Sequence, residues 1–455
     1  MAITKTKAPL FHITGEAGWI NDPNGLVYFN GQYHAFYQHH PYGIKWGPMH
    51  WGHVVSEDLT NWKYLPFALT PGDECDKNGC FSGSAIVHGG KLWLMYTGFV
   101  ENQGGESIRQ LQCLAESSDG VNFRKHGIVI GEKELPEEYA PCDFRDPKVW
   151  LHGDSFFCIV AARRKEGRGR MLLFKSPDLF KWEFVNDLFG VDSDGAMIEC
   201  PDYNEDMGYL LYCEQFQPSG EGVHLNIHTN NWCLGRIDYE SGRFVEQSRG
   251  MVDYGFDAYA PQTFAGKPVI MGWLQMWDRN IPSEKYGFAG MLTVPRKVFV
   301  KDGRLCQVPL VNTAEPAVSL TGGAEPIRDN VKVGVVTVRA RGLEGLEVKM
   351  RSGGGNYTSL VLKDGEWVFD RSRSGEAITG AEKNEDSING IRRMPFSGAD
   401  EVILTLVMDE FSVEIFEGGR AMSSTVYPPE GADSLEITAK AASWQYERED
   451  VLLTK

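Results

Sequence analysis

At 455 residues, with 42% hydrophobic and 24% charged side chains, the chain is long enough for two hydrophobic cores and too ordinary in composition to be disordered. Its formal net charge of -17 argues against nucleic acid or an anionic membrane surface as partner, because both require clustered Lys and Arg. Met1 to Leu10 holds no apolar stretch resembling a signal-peptide core, and no apolar run is long enough to span a bilayer, so a cytoplasmic protein is expected.

In chain order, short aromatic and β-branched runs come first: Leu26 to Phe29, Tyr33 to Tyr37, Trp93 to Tyr96, Phe156 to Val160 and Met171 to Phe174. Turn signals such as Asn30-Gly31 and Gly89-Gly90 bound them, which predicts strands and no long amphipathic helix. A Ser-x-Asp-x-x-x-aromatic pattern recurs at Ser56-Asp58-Trp62, Ser117-Asp119-Phe123 and Ser176-Asp178-Trp182. The spacing of roughly 60 residues is the scale of a β-propeller blade. Asp22, Ser82, Asp146, Glu199 and Tyr259 follow the same period. Five units predict a five-bladed β-propeller over residues 1–310, with equivalent positions of successive blades converging on one channel mouth.

Around Leu310 the aromatic repeat fades, and Pro309, Pro316 and Gly322-Gly323 punctuate the chain. Beyond it Val331 to Val338, Leu346 to Met350, Ser359 to Leu362, Val402 to Met408 and Ser412 to Phe416 alternate or run apolar between turns. They predict an all-β second domain, a β-sandwich over residues 311–455. It is expected to support the first domain by packing and to supply no catalytic carboxylate. Nine scattered cysteines suit free buried thiols, and the spacing of Cys75 and Cys80 is wrong for a zinc knuckle, so neither a metal nor a cofactor is expected.

Three acids sit among apolar or rigid neighbours: Asp22 in Trp19-Ile20-Asn21-Asp22-Pro23-Asn24-Gly25, Asp146 in Phe144-Arg145-Asp146-Pro147 and Glu199 in Glu199-Cys200-Pro201. Retaining glycoside hydrolysis needs one ionised carboxylate to attack the anomeric carbon and one protonated carboxyl to serve the leaving oxygen. A third acid can grip sugar hydroxyls as charge develops on the ring.

The three segments, in this order, resemble the signature motifs of glycoside hydrolase family 32, the invertases, inulinases and fructan hydrolases. The resemblance extends over nearly the whole chain, through Gly255-Phe256-Asp257, Pro261-Gln262, Gly272-Trp273, Pro295-Arg296 and Asp370-Arg371-Ser372. It implies Asp22 as nucleophile, Asp146 as transition-state stabiliser and Glu199 as acid/base, acting on a terminal β-D-fructofuranosyl residue. The saccharide would be sucrose, sucrose 6-phosphate or a short fructo-oligosaccharide. Asn21, Gln38, Trp46, Phe81, Ser82, Tyr259 and Trp273 are expected as substrate-binding walls, although an aromatic beside a strand is more often core. Arg145 is expected to pair with a carboxylate and favour its ionised form. Cys200 is expected to pack near Glu199 and help raise its pKa by limiting solvation. The cluster Arg163-Arg164-Lys165, with Arg168 and Arg170, reads as a solvated hairpin turn or, alternatively, as a phosphate-recognising patch. Two rival functions stay open: a fructosyltransferase sharing the first chemical step, and a carbohydrate-binding propeller that has lost catalysis.

Overall fold

Short runs closed by turn residues leave the backbone one economical way to satisfy its amides, which is antiparallel pairing between sequence neighbours. At the first hairpin Asn30 (φ 49) and Gly31 (φ 85) both take the left-handed conformation required by a two-residue turn whose twist matches the strands. The computed structural model describes residues 3–191, 197–216, 225–323, 325–341, 344–440 and 443–454. Its architecture is nearly all β. Among the described residues the helices are a single α-turn, Glu385–Ile388, and a short 3₁₀ segment, Pro282–Tyr286. No helix there is long and apolar enough to cross a membrane.

Five antiparallel sheets come first, each built from four consecutive or nearly consecutive strands. Their leading strands are Gly18–Phe29, Gly79–His88, Tyr139–His152, Ile198–Asn204 and Tyr259–Thr263. Each leading strand packs on the next, and Tyr259–Thr263 also touches Gly18–Phe29. The first sheet gains a fifth, parallel strand where Gly18 and Trp19 pair with Phe288 and Ala289. The Ser-x-Asp repeat falls at the turn between third and fourth strands. At Ser117 the hydroxyl donates to Asp119, whose Oδ1 accepts from the backbone of Val121 and Asn122, and Ser56 and Ser176 head equivalent turns.

Every leading strand is interrupted at the same place. The pairing register slips between Ile20 and Pro23, between Phe81 and Gly83, opposite the step from Ile159 to Ala161, between Glu199 and Asp202, and between Tyr259 and Gln262. Asp146 (φ 64), Cys200 (φ 50) and Ala260 (φ 48) take left-handed backbone there, uncommon for residues with a Cβ. The bulge therefore accompanies the sequence period, and it re-aims the side chains at Asp22, Ser82, Asp146, Glu199 and Tyr259.

The fifth sheet ends at Pro309, and two six-stranded sheets follow. Val336, Leu404 and Ile415 of one share an apolar core with Val348, Leu360 and Trp367 of the other. Two short strands, Val318–Gly322 and Ile327–Asn330, come first, and the strand expected from Val331 begins at Gly334, with Val331 buried outside any strand. All nine cysteines are free thiols.

The junction between the five-sheet and two-sheet parts holds apolar packing and, beyond what the sequence reading expected, buried ion pairs. Phe11 and Val294 pack with Val407 and Phe416, and Leu274, Phe288 and Met291 with Phe411 and Tyr427, and the ion pairs lie beside these apolar contacts. Arg296 spans the junction, its Nη1 donating to Asp253 at 2.9 Å and its Nη2 to Glu414 at 2.6 Å. Asp257 accepts from Arg279 (3.0 Å) and from Arg371 of the second part (2.7 Å). His12 places Nδ1 2.8 Å from Asp409 and Nε2 2.9 Å from Glu414. With a carboxylate at each nitrogen it is an imidazolium. Burial alone would lower its pKa, but the two hydrogen bonds and charges outweigh that and raise it to about 9.

The folded pKa of His12 lies above its unfolded value of 6.5, so its stabilisation is complete below pH 6.5 and gone above about pH 9. We expect the melting temperature to fall across that window, by a contribution on the order of 3 kcal/mol, and His12→Leu to abolish this segment of the pH dependence. A melting temperature level from pH 6.5 to 9 in the native protein would contradict the assignment.

Candidate active site

The five bulges converge on a cavity of about 440 Å³. The expected catalytic and substrate-binding residues line it: Asp22, Asp146, Glu199 and Arg145, with Asn21, Gln38, Trp46, Phe81, Ser82, Tyr259 and Trp273. Among the described residues, none after Trp277 contributes to the lining.

Asp22 Oδ2 accepts from Ser82 Oγ at 2.6 Å and lies 3.5 Å from Cys200 Sγ. Burial pushes its carboxyl pKa up, the Ser82 hydrogen bond opposes this, and the charge of Glu199 adds to the rise. Asp146 Oδ2 accepts from the Cys200 amide at 2.9 Å, and the Asp146 amide donates to Thr97 Oγ1 at 2.9 Å. Thr97 is in turn fixed by Gln112, which donates to Phe144 O. Burial lifts the Asp146 carboxyl to about 7; Arg145 opposes the rise, and the charges of Glu199 and Asp22 support it.

Glu199 is held at both oxygens. Arg145 donates to Oε1 through Nε (3.1 Å) and Nη2 (2.9 Å), and Tyr259 Oη donates to Oε2 at 2.7 Å. The carboxylate expected to pair with Arg145 is thus Glu199, with Asp143 as a second partner at 3.2 Å. Cys200 requires a correction. Its Sγ faces Asp22 and, at 3.7 Å, Asp146 rather than Glu199. The left-handed backbone at position 200 turns the thiol away from its neighbour in sequence, so it serves the other two carboxyls.

Aromatic faces form the walls. Phe81 and Phe99 stack at 4.2 Å, with Trp46 edge-on to Phe81 at 5.8 Å and still 52% exposed at the rim. Trp273 is fully buried and stacks on Trp277 at 5.9 Å. Gln38 donates to Cys80 O, and Asn21 accepts from Trp19 Nε1.

The sequence reading missed Trp19, Phe99, Gln110, Asp143 and Trp277 in the lining, and Thr97 and Gln112 behind it. Trp19 and Asp143 stand within or beside motifs already recognised, and their proximity was a usable signal. The basic cluster occupies the turn between strands Ser155–Arg164 and Gly169–Ser176, where Arg163 pairs with Asp143 and Arg164 donates to Asp187 at 2.6 Å. That is the hairpin reading, with two of its cations already neutralised.

Convergent carboxyls in a cavity walled by aromatic faces, one braced by donors at both oxygens, define a glycoside hydrolase. Residues 12–309 match the glycosyl hydrolases family 32 N-terminal domain and residues 336–451 the family's C-terminal domain. The chain belongs to glycosyl hydrolase family 32. It is similar to the sucrose-6-phosphate hydrolase of Escherichia coli, with 36% identity over 452 residues, covering 95% of this chain and 91% of the relative. It is also similar to the raffinose invertase of Escherichia coli, at 36% identity, covering 95% and 92%. Among solved structures, the β-fructofuranosidase of Bombyx mori superposes with a TM-score of 0.80 at 30% identity, covering 98% of this chain and 95% of that one.

Proposed function

We propose that the protein is a retaining β-fructofuranosidase that hydrolyses the terminal non-reducing β-D-fructofuranosyl residue of sucrose, sucrose 6-phosphate or short fructo-oligosaccharides. The observation that carries the reading is the joint placement of Asp22, Asp146 and Glu199 on one cavity, with Arg145 and Tyr259 clamping the two oxygens of Glu199. Likeness to a sucrose-6-phosphate hydrolase and to a raffinose invertase supports the substrate class. In the same proposal the five sheets are blades of a propeller spanning residues 1–310, and residues 311–455 form a β-sandwich that braces it. A cytoplasmic location fits a substrate phosphorylated on entry.

Asp22 is the nucleophile. Ser82 and Cys200 hold its Oδ2, which fixes the carboxylate and leaves Oδ1 to attack the anomeric carbon. Asp146 grips fructosyl hydroxyls and gains strength as the ring becomes cationic. Glu199 protonates the departing sugar oxygen, then takes a proton from the water that releases fructose. Its guanidinium partner can only donate, so Tyr259 is the neighbour able to turn from donor to acceptor when Glu199 carries its proton.

Incubation with sucrose, sucrose 6-phosphate, 1-kestose and inulin tests the reading: free fructose should accumulate from at least the first two. Products longer than the substrate, in place of free fructose, would instead mark a transferase. Burial raises the pKa of Asp22, and that of Asp146 to about 7, and both must be ionised to act. The acid limb of kcat/KM is therefore expected well above the ordinary carboxylate range, nearer 7 than 4. A limb at the ordinary aspartate value of 3.8 would contradict this account of the two carboxyls.

A further inference from the structure

The loop of residues 41–49 joins strands Gln32–His40 and His50–Ser56 and carries Trp46 to the cavity rim. From inside, His40 bonds its middle and His50 its end, the latter with Nδ1 3.2 Å from the carbonyl oxygen of Pro48. His40 Nδ1 lies 3.0 Å from the carbonyl oxygen of Lys45, and because that oxygen can only accept, Nδ1 carries the proton. Two glycines press on the same ring: a Cβ added at Gly47 would come within 2.4 Å of it, and one at Gly43 within 2.7 Å. The loop is therefore wound around the imidazole with no room for side chains at those two places.

From outside, the Trp19 amide donates to Gly43 O and the Cys80 amide to Met49 O, both at 2.9 Å and each three residues from Trp46. Lys45 Nζ reaches Glu284 at 2.5 Å, but the lysine side chain is 73% exposed, and such surface pairs hold little. Trp46 meets Phe81 and Phe99 only edge-on. The direction of its indole is consequently governed by the backbone at Lys45 and Gly47, both of which His40 holds. The fructosyl ring must lie deep, within reach of Asp22 and Asp146. A half-exposed rim residue faces the sugar that leaves.

We propose that His40 is a positioning residue that holds Trp46 against the leaving sugar and thereby sets how tightly that half of the substrate is gripped. The inference rests on the β-fructofuranosidase reading for its substrate and on loop geometry for its mechanism. His40→Ala should raise KM for sucrose about tenfold, a loss of one well-placed aromatic contact, with kcat nearly unchanged. Methyl β-D-fructofuranoside, which has no leaving sugar, should be affected much less. His40→Asn, whose amide nitrogen can take the place of Nδ1, should restore the native KM, whereas His40→Gln should not. In a Trp46→Ala background, His40→Ala should add nothing.

Equal losses on both fructosides, or full additivity with Trp46→Ala, would overturn the proposal. One readout needs no turnover: the emission of Trp46, taken as the difference between wild type and Trp46→Phe, should shift to the red and become more quenchable by acrylamide in His40→Ala. An unchanged difference spectrum would also overturn it. If the wild type cleaves neither fructoside the functional reading fails, and the emission experiment still decides whether His40 holds Trp46.

Discussion

Asp22→Asn is expected to lower kcat on sucrose by about four to six orders of magnitude while leaving a folded protein that still binds the sugar. The amide keeps the shape of the carboxylate and a hydrogen-bonding relation to Ser82, so little else changes. Attack on the anomeric carbon is lost for every fructoside, whatever its leaving group. Glu199→Gln should behave differently in kind. It removes the proton donor, so its penalty on the first step should shrink for a fructoside whose leaving group needs no protonation, while that of Asp22→Asn should not. Comparing both variants on sucrose and on an aryl fructoside reads the division of labour directly. Fructose released first in the inverted anomeric form, seen by NMR early in wild-type turnover, would remove the covalent intermediate and with it the role of Asp22.

The second large effect is on stability. Arg296→Met is expected to destabilise the protein by about 3–5 kcal/mol, because it strands the fully buried carboxylate of Asp253 without its cation and leaves the equally buried Glu414 with His12 alone. Apolar truncations of one or two methylenes at the same junction should cost much less. Denaturant unfolding of Arg296→Met beside Val407→Ala measures the contrast. A smaller loss for Arg296→Met would mean that the apolar patch, not the ion pairs, joins the two parts.

Much of the site was legible in the sequence because its chemistry sits in short segments repeated at a fixed period. Asp22, Asp146 and Glu199 could be aligned with one another before any geometry was known, and the bulge at each lies inside the motif that announces it. What lay beyond reach depends on a turn of the backbone or on distant pairing. Cys200 follows Glu199 in sequence, yet its φ of 50 sends the thiol to Asp22 and Asp146. Thr97 and Gln112 come from second and third strands, where a buried polar residue looks like any other strand residue. The junction was the largest omission. Arg296 and Arg371 were visible only as parts of a family likeness, and an arginine in a strand says nothing of a carboxylate more than a hundred residues away.

The position of His12 also bears on how the chain is made. Its two carboxylate partners stand 397 and 402 residues later. A ribosome working at about 5–20 residues per second needs roughly 20–80 s to cover that distance. Throughout that time the first sheet can pair with itself, but the segment ahead of it has nowhere to go. Arg296, too, emerges well before Glu414 and Ser423. The nascent polypeptide therefore spends most of its synthesis with His12 lacking both of its carboxylate partners. The buried charges of His12 and Arg296 thus stay without these partners until the strands bearing Asp409, Glu414 and Ser423 have been made.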